Sequence, residues 1–251
     1  MAVVNLIIGA GITLLLVILC FILIRKKWLA FIVVNMILLL ASGVLAYSVF
    51  NDFNDMKQNF FSGPKLFVME NNGRVIGAFS STGSDSEPSF LDESQFQAVE
   101  NSIQTNDFSQ LETKYYKIIV VDSDSFASLK NVEIGDTQFT HDEAVSIIDS
   151  SKPIETFLKY ELAKNNKTAD NAAIQGMKQK ILEAKETQSS FRAKIFSLMF
   201  GDAIKTEGAS FLLKQYKEGN IMFYPETITF SIVKLVPDVI VEKIAGETNS
   251  A

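Results

Sequence analysis

Leu66-Phe67-Val68-Met69-Glu70-Asn71-Asn72-Gly73-Arg74-Val75-Ile76-Gly77-Ala78-Phe79 is the stretch whose reading decides the fold. Its apolar runs, Leu66 to Met69 and Val75 to Phe79, flank Asn71-Asn72-Gly73-Arg74. An Asn-Gly pair supplies the positive φ angles of a type I′ turn, so the stretch predicts a β-hairpin. Downstream, Ser80 to Ser89 reads as a polar loop and Asp92 to Asn101 as a short helix. A third strand is predicted over Tyr115 to Val121. Its apolar run Ile118-Ile119-Val120-Val121 is continuous, the pattern of a strand covered on both faces.

The rest of the C-terminal part reads mainly as helix. Thr140-His141-Asp142-Glu143 has capping-box spacing before Ala144, Val145, Ile147 and Ile148, so a helix starts at Thr140. Pro153 suits the first turn of another helix, through Leu162. Thr168 caps a long one, in which Ile174, Met177, Ile181, Ala184, Gln188, Phe191, Ile195 and Leu198 recur at alternating spacings of three and four. That seam suits packing on the protein's own sheet or, as the sharper alternative, self-association or a partner. A helix near Gly208 to Lys217 stops at Gly219-Asn220, and Ile221 to Phe223 and Thr227 to Leu235 read as late strands around Tyr224-Pro225. Val239 to Ala245 reads as a closing helix. The fold class expected is α+β, with a small sheet and a long amphipathic helix, over residues 66–246, followed by a disordered tail over 247–251.

Working upstream, residues 51–65 form a connector broken by Gly63-Pro64, and residues 1–50 contain no Asp or Glu and only Arg25, Lys26 and Lys27 as basic residues. Ala2 to Ile24 and Trp28 to Phe50 are each 23 uncharged residues. Either would span a hydrocarbon core of about 30 Å. The expectation is a two-helix transmembrane hairpin, with the lipid bilayer as a partner. The basic turn Arg25-Lys26-Lys27 is read as cytoplasmic and the C-terminal domain as extracytoplasmic.

Composition excludes several chemistries. Of 23 Lys and Arg against 29 Asp and Glu, three basic residues belong to the first fifty, which leaves 20 against 29 and a formal charge of −9 on residues 51–251. Such a balance argues against nucleic acid as a partner, because nonspecific binding requires clustered cations on phosphates. Cys20 is the single cysteine and His141 the single histidine. Thiol nucleophiles, disulfides, zinc ribbons and polyhistidine metal sites are thereby excluded from the C-terminal domain. No cofactor is indicated.

The remaining candidate for chemistry is Ile118-Ile119-Val120-Val121-Asp122-Ser123-Asp124-Ser125, a strand ending in two acids one residue apart. Carboxylates at a strand's carboxyl end can hold a hard cation such as Mg²⁺. The string resembles the opening of the haloacid-dehalogenase phosphatase motif and the Asp-X-Asp of nucleotide-sugar glycosyltransferases, over about eight residues. The resemblance implies Asp122 and Asp124 as metal ligands. Neither a second strand ending in paired acids nor a Gly-rich phosphate loop follows, and the residues themselves read as turn formers whose side chains cap backbone amides. The functional expectation is a prokaryotic, membrane-anchored, non-enzymatic accessory or scaffold protein that displays an acidic domain for protein contacts in an envelope assembly. The alternatives are a membrane-tethered metal-dependent phosphatase or transferase using Asp122 and Asp124, and an envelope sensor or ligand-binding module.

Overall fold

The computed structural model describes residues 13–18, 33–40, 42, 44, 47, 51–52, 55, 59, 62–83, 86–165, 171–183, 186–227, 230–231 and 234. The chain divides into two compact units, Met1–Asn54 and Asp55–Ala251.

In the first unit residues 13–18 and 33–40 are helical, with Leu14, Leu39 and Leu40 among the exposed side chains. Among the described residues no helix is long and apolar enough to cross a membrane. This corrects the expected transmembrane hairpin. The readings built on the hairpin, namely the bilayer as partner, the cytoplasmic turn and the extracytoplasmic domain, lose their basis with it. Arg25, Lys26 and Lys27 lie outside the described residues, as do Ala184, the predicted closing helix and the tail.

The second unit is an α+β fold built on a five-stranded sheet whose strands lie in the order Ser89–Phe90, Arg74–Thr82, Pro64–Asn71, Lys117–Asp122 and Ile221–Tyr224. Strands β1 (Pro64–Asn71) and β2 (Arg74–Thr82) form the predicted hairpin, and Asn72 and Gly73 take φ of 51° and 79° in its turn. The register slips between Met69 and Glu70, so β2 carries a bulge near Ile76. Strand β3 (Ser89–Phe90) pairs only with Phe79 and Ser80. Strand β4 (Lys117–Asp122) runs parallel to β1, and β7 (Ile221–Tyr224) antiparallel to β4.

The strand β4 is covered on both faces, as its continuous apolar run predicts. Ile118 and Val120 join Leu66 and Val68 in one core, against Phe96 and Val99 of α1 (Glu93–Thr105) and Leu111 of α2 (Ser109–Glu112). Ile119 and Val121 join Phe67 and Met69 in the larger core on the opposite face. That face is built by α3 (His141–Asp149), α4 (Pro153–Lys164), α5 (Asn171–Glu183), α6 (Gln188–Glu207) and α7 (Ala209–Glu218). Phe196 and Phe200 of α6 meet the stacked Phe67 and Phe79 rings, with centroids 4.8 to 6.3 Å apart, and so fix α6 across the hairpin.

Three differences from expectation have local causes. The long helix from Thr168 is two helices, because Thr187 is extended at φ −93° and ψ 167° and caps α6 reciprocally with Ser190. The heptad run is therefore divided. Val132–Ile134 (β5) and Thr137–Phe139 (β6) form an unpredicted hairpin, closed by Gly135-Asp136 with Gly135 at φ 64°. Phe230 and Ser231, expected in a late strand, are helical. Phe230 stacks on Phe223 at 4.3 Å, and that burial is reached from a turn of helix after cis-Pro225.

Candidate functional site

At the carboxyl ends of β1 and β4, polar side chains bond to one another and to the backbone. Asp122 ends β4 and caps a 3₁₀ turn over Ser123–Phe126, its Oδ1 accepting from Asp124 N–H at 2.8 Å. Asp124 is exposed. Among the described residues no group of three His, Cys, Asp or Glu is placed to hold a metal ion. The buried Ser123 hydroxyl donates to Asn71 Oδ1 at 3.3 Å, and Asn71 Nδ2 donates to Asp149 Oδ2 at 3.3 Å. His141 Nε2 lies 3.1 Å from the Ser123 carbonyl and Nδ1 3.0 Å from Asp142. A carbonyl only accepts, so Nε2 carries a proton, and the imidazole braces the turn. It is not paired with the serine hydroxyl, so the two do not form a nucleophile and base.

Asp149 also faces a second feature, a cleft of about 320 Å³ at the start of β2. One wall is α1, whose Glu93, Gln97 and Glu100 fall at i, i+4 and i+7 on one helical face. Opposite stand Asp149 and Ser151 after α3. Arg74 of β2 and Arg192 of α6 bring two guanidinium groups, while buried Val75, Ile76, Phe96 and Ile148 supply apolar surface.

The charges in this cleft differ in how they are compensated. Arg74 forms an ion pair with Asp149 at the mouth. Arg192 donates through Nη2 to the Ser150 carbonyl at 2.7 Å, and its Nε is buried with no hydrogen-bond partner. Burial lowers the pKa of Arg192, Glu93 and Glu100 draw it back up, and Arg74 lowers it further. Among the described residues Arg192, Glu93 and Glu100 form no ion pair. A guanidinium and two carboxylates thus line one cavity uncompensated by contact.

No protein-family model, curated protein or solved structure matches the chain. The site is therefore argued on its own geometry.

The seam residues go to different places. Ile174, Phe191 and Ile195 are buried in the larger core, Ile181 packs partly against it, and Met177 and Leu198 are about a third exposed, on separate helices. The sequence reading missed Arg74, Glu93, Glu100, Asp149 and Arg192 as a group. Its one available signal was Arg192, a cation set between the apolar Phe191 and Ala193.

Proposed function

We propose that this is a non-enzymatic accessory protein whose Asp55–Ala251 unit acts by binding, at the cleft between β2, α1 and α6. One observation carries the reading: Arg192, Glu93 and Glu100 line a single cavity and leave one another unpaired. The partly buried guanidinium of Arg192 stays unneutralised at a cost that a matching ligand or partner recovers, and the exposed Glu93 and half-buried Glu100 stand beside it without an ion pair. By contrast, the Asp122 carboxylate caps the turn after β4, and the Ser123 hydroxyl and carbonyl are taken up by Asn71 and His141.

Native mass spectrometry of the full chain, purified from the cells that make it, tests the proposal. The expected result is a bound species, small molecule or protein, whose occupancy falls in the variants Glu100→Gln and Arg192→Gln. An unliganded chain, or a bound species indifferent to both substitutions, would overturn it.

A further inference from the structure

The chemistry of the cleft narrows what it binds. A plain anion drawn to Arg192 meets the Glu93 and Glu100 carboxylates, and a plain cation drawn to these meets Arg192, Arg74 being paired with Asp149. Only a molecule with both charges satisfies the walls together. The volume, about 320 Å³, stands at the small end of the roughly 300 to 1,000 Å³ typical of ligand sites. Val75, Ile76, Phe96 and Ile148 add apolar surface for a hydrocarbon group. An added β-strand fits less well, because the bulge opposite Met69 and Glu70 breaks the regular edge that such a strand would need.

We propose that the cleft binds a small zwitterion of the α-amino-acid class, its carboxylate on Arg192, its ammonium against Glu93 and Glu100, and its side chain on Phe96 and Ile148. A carboxylate on the guanidinium makes charge-assisted hydrogen bonds, which are shorter and stronger than neutral ones. The ammonium, with three donors, can serve both carboxylates of α1. The inference rests on the cleft being the binding site.

Isothermal titration calorimetry of the full chain with each of the common free amino acids is the test, followed by the amide and the N-acetyl derivative of the tightest. At least one amino acid is expected to bind saturably at one site. The amide, which lacks the carboxylate, and the N-acetyl form, which lacks the ammonium, should each bind about tenfold or more weakly, the scale of one charged hydrogen bond. Glu100→Gln should reproduce the loss on the ammonium side, and Arg192→Gln that on the carboxylate side. Should Arg192→Gln fail to fold, Glu100→Gln on the open wall decides. Failure of every amino acid to bind at about 10 mM, or equal binding of the blocked derivatives, would overturn the proposal. If native mass spectrometry still finds a cleft-dependent species, the binding reading stands and the ligand class falls.

Discussion

Lys65 and Lys117 are register partners in the parallel β1–β4 ladder, and both are buried, at 6% and 2% exposure. Two ammonium groups are thereby placed on adjacent strands. Lys65 donates to the Gly63 carbonyl at 3.0 Å and Lys117 to the Pro225 carbonyl at 2.8 Å, which ties the end of the sheet to its flanking segments.

Burial holds the Lys65 ammonium below the ordinary lysine value of 10.5. The folded chain thus releases this proton before the unfolded chain does. Between the two pKa values the unfolded state binds more protons, and stability rises with pH. The wild type should therefore gain in stability on Lys65→Met as pH is raised from neutral toward 10.5, measured by thermal melts of both proteins. A gap that does not change with pH, or moves the other way, contradicts the assignment.

The Tyr216 hydroxyl donates to Glu226 Oε1 at 2.6 Å, and Lys234 pairs with the same oxygen at 3.1 Å. The bond from Tyr216, then that from Lys234, holds the Glu226 carboxyl below its usual range, while burial and the Glu226 contact push the Tyr216 phenol up. Tyr216→Phe should cost about 1 kcal/mol at neutral pH, below the usual range for a bond to a charged group because Glu226 is exposed. A depressed carboxyl stabilises above its unfolded value and loses that contribution as pH falls through the folded value. Denaturant melts should accordingly show a smaller acid-side loss of stability in the variant.

Asp122 separates capping from metal binding. Asparagine keeps an acceptor for the Asp124 N–H, so Asp122→Asn should stay within about 0.5 kcal/mol of wild type, whereas Asp122→Ala loses the cap and about 1 kcal/mol. Titration with Mg²⁺ should raise the melting temperature of wild type and Asp122→Asn equally, if at all. A rise confined to the wild type would favour the metal reading.

Gly73 occupies φ +79° in the β1–β2 turn. A Cβ there meets no atom within 4 Å, so the penalty for Gly73→Ala is conformational. It should cost about 1 kcal/mol in equilibrium unfolding, and an unchanged stability would mean that the turn adopts another form.

How much was legible depended on the range of the interaction. The Asn72-Gly73 turn, the Thr140 and Glu143 capping box and Pro153 in the first turn of α4 are contacts among residues at most a few apart. Each was readable in place. The small hairpin went unread although Val132-Glu133-Ile134 and Thr137-Gln138-Phe139 alternate around Gly135-Asp136, with the outer residues buried and the middle ones exposed. The heptad run misled because its spacing continues across the Thr187 cap, and periodicity alone does not register an extended residue between two helices.

By itself, the sequence determined the hairpin, the caps and the two-sided burial of β4, because backbone conformational preference and side-chain periodicity act over a few residues. Tertiary structure alone decided the parallel pairing of β1 with β4, which joins residues 52 apart, and the cleft, where Arg74, Glu93, Asp149 and Arg192 arrive from four separate segments. Long-range pairing follows from burying two faces of one sheet at once. No local pattern carries that information, because the energy belongs to the packed whole rather than to any stretch of chain.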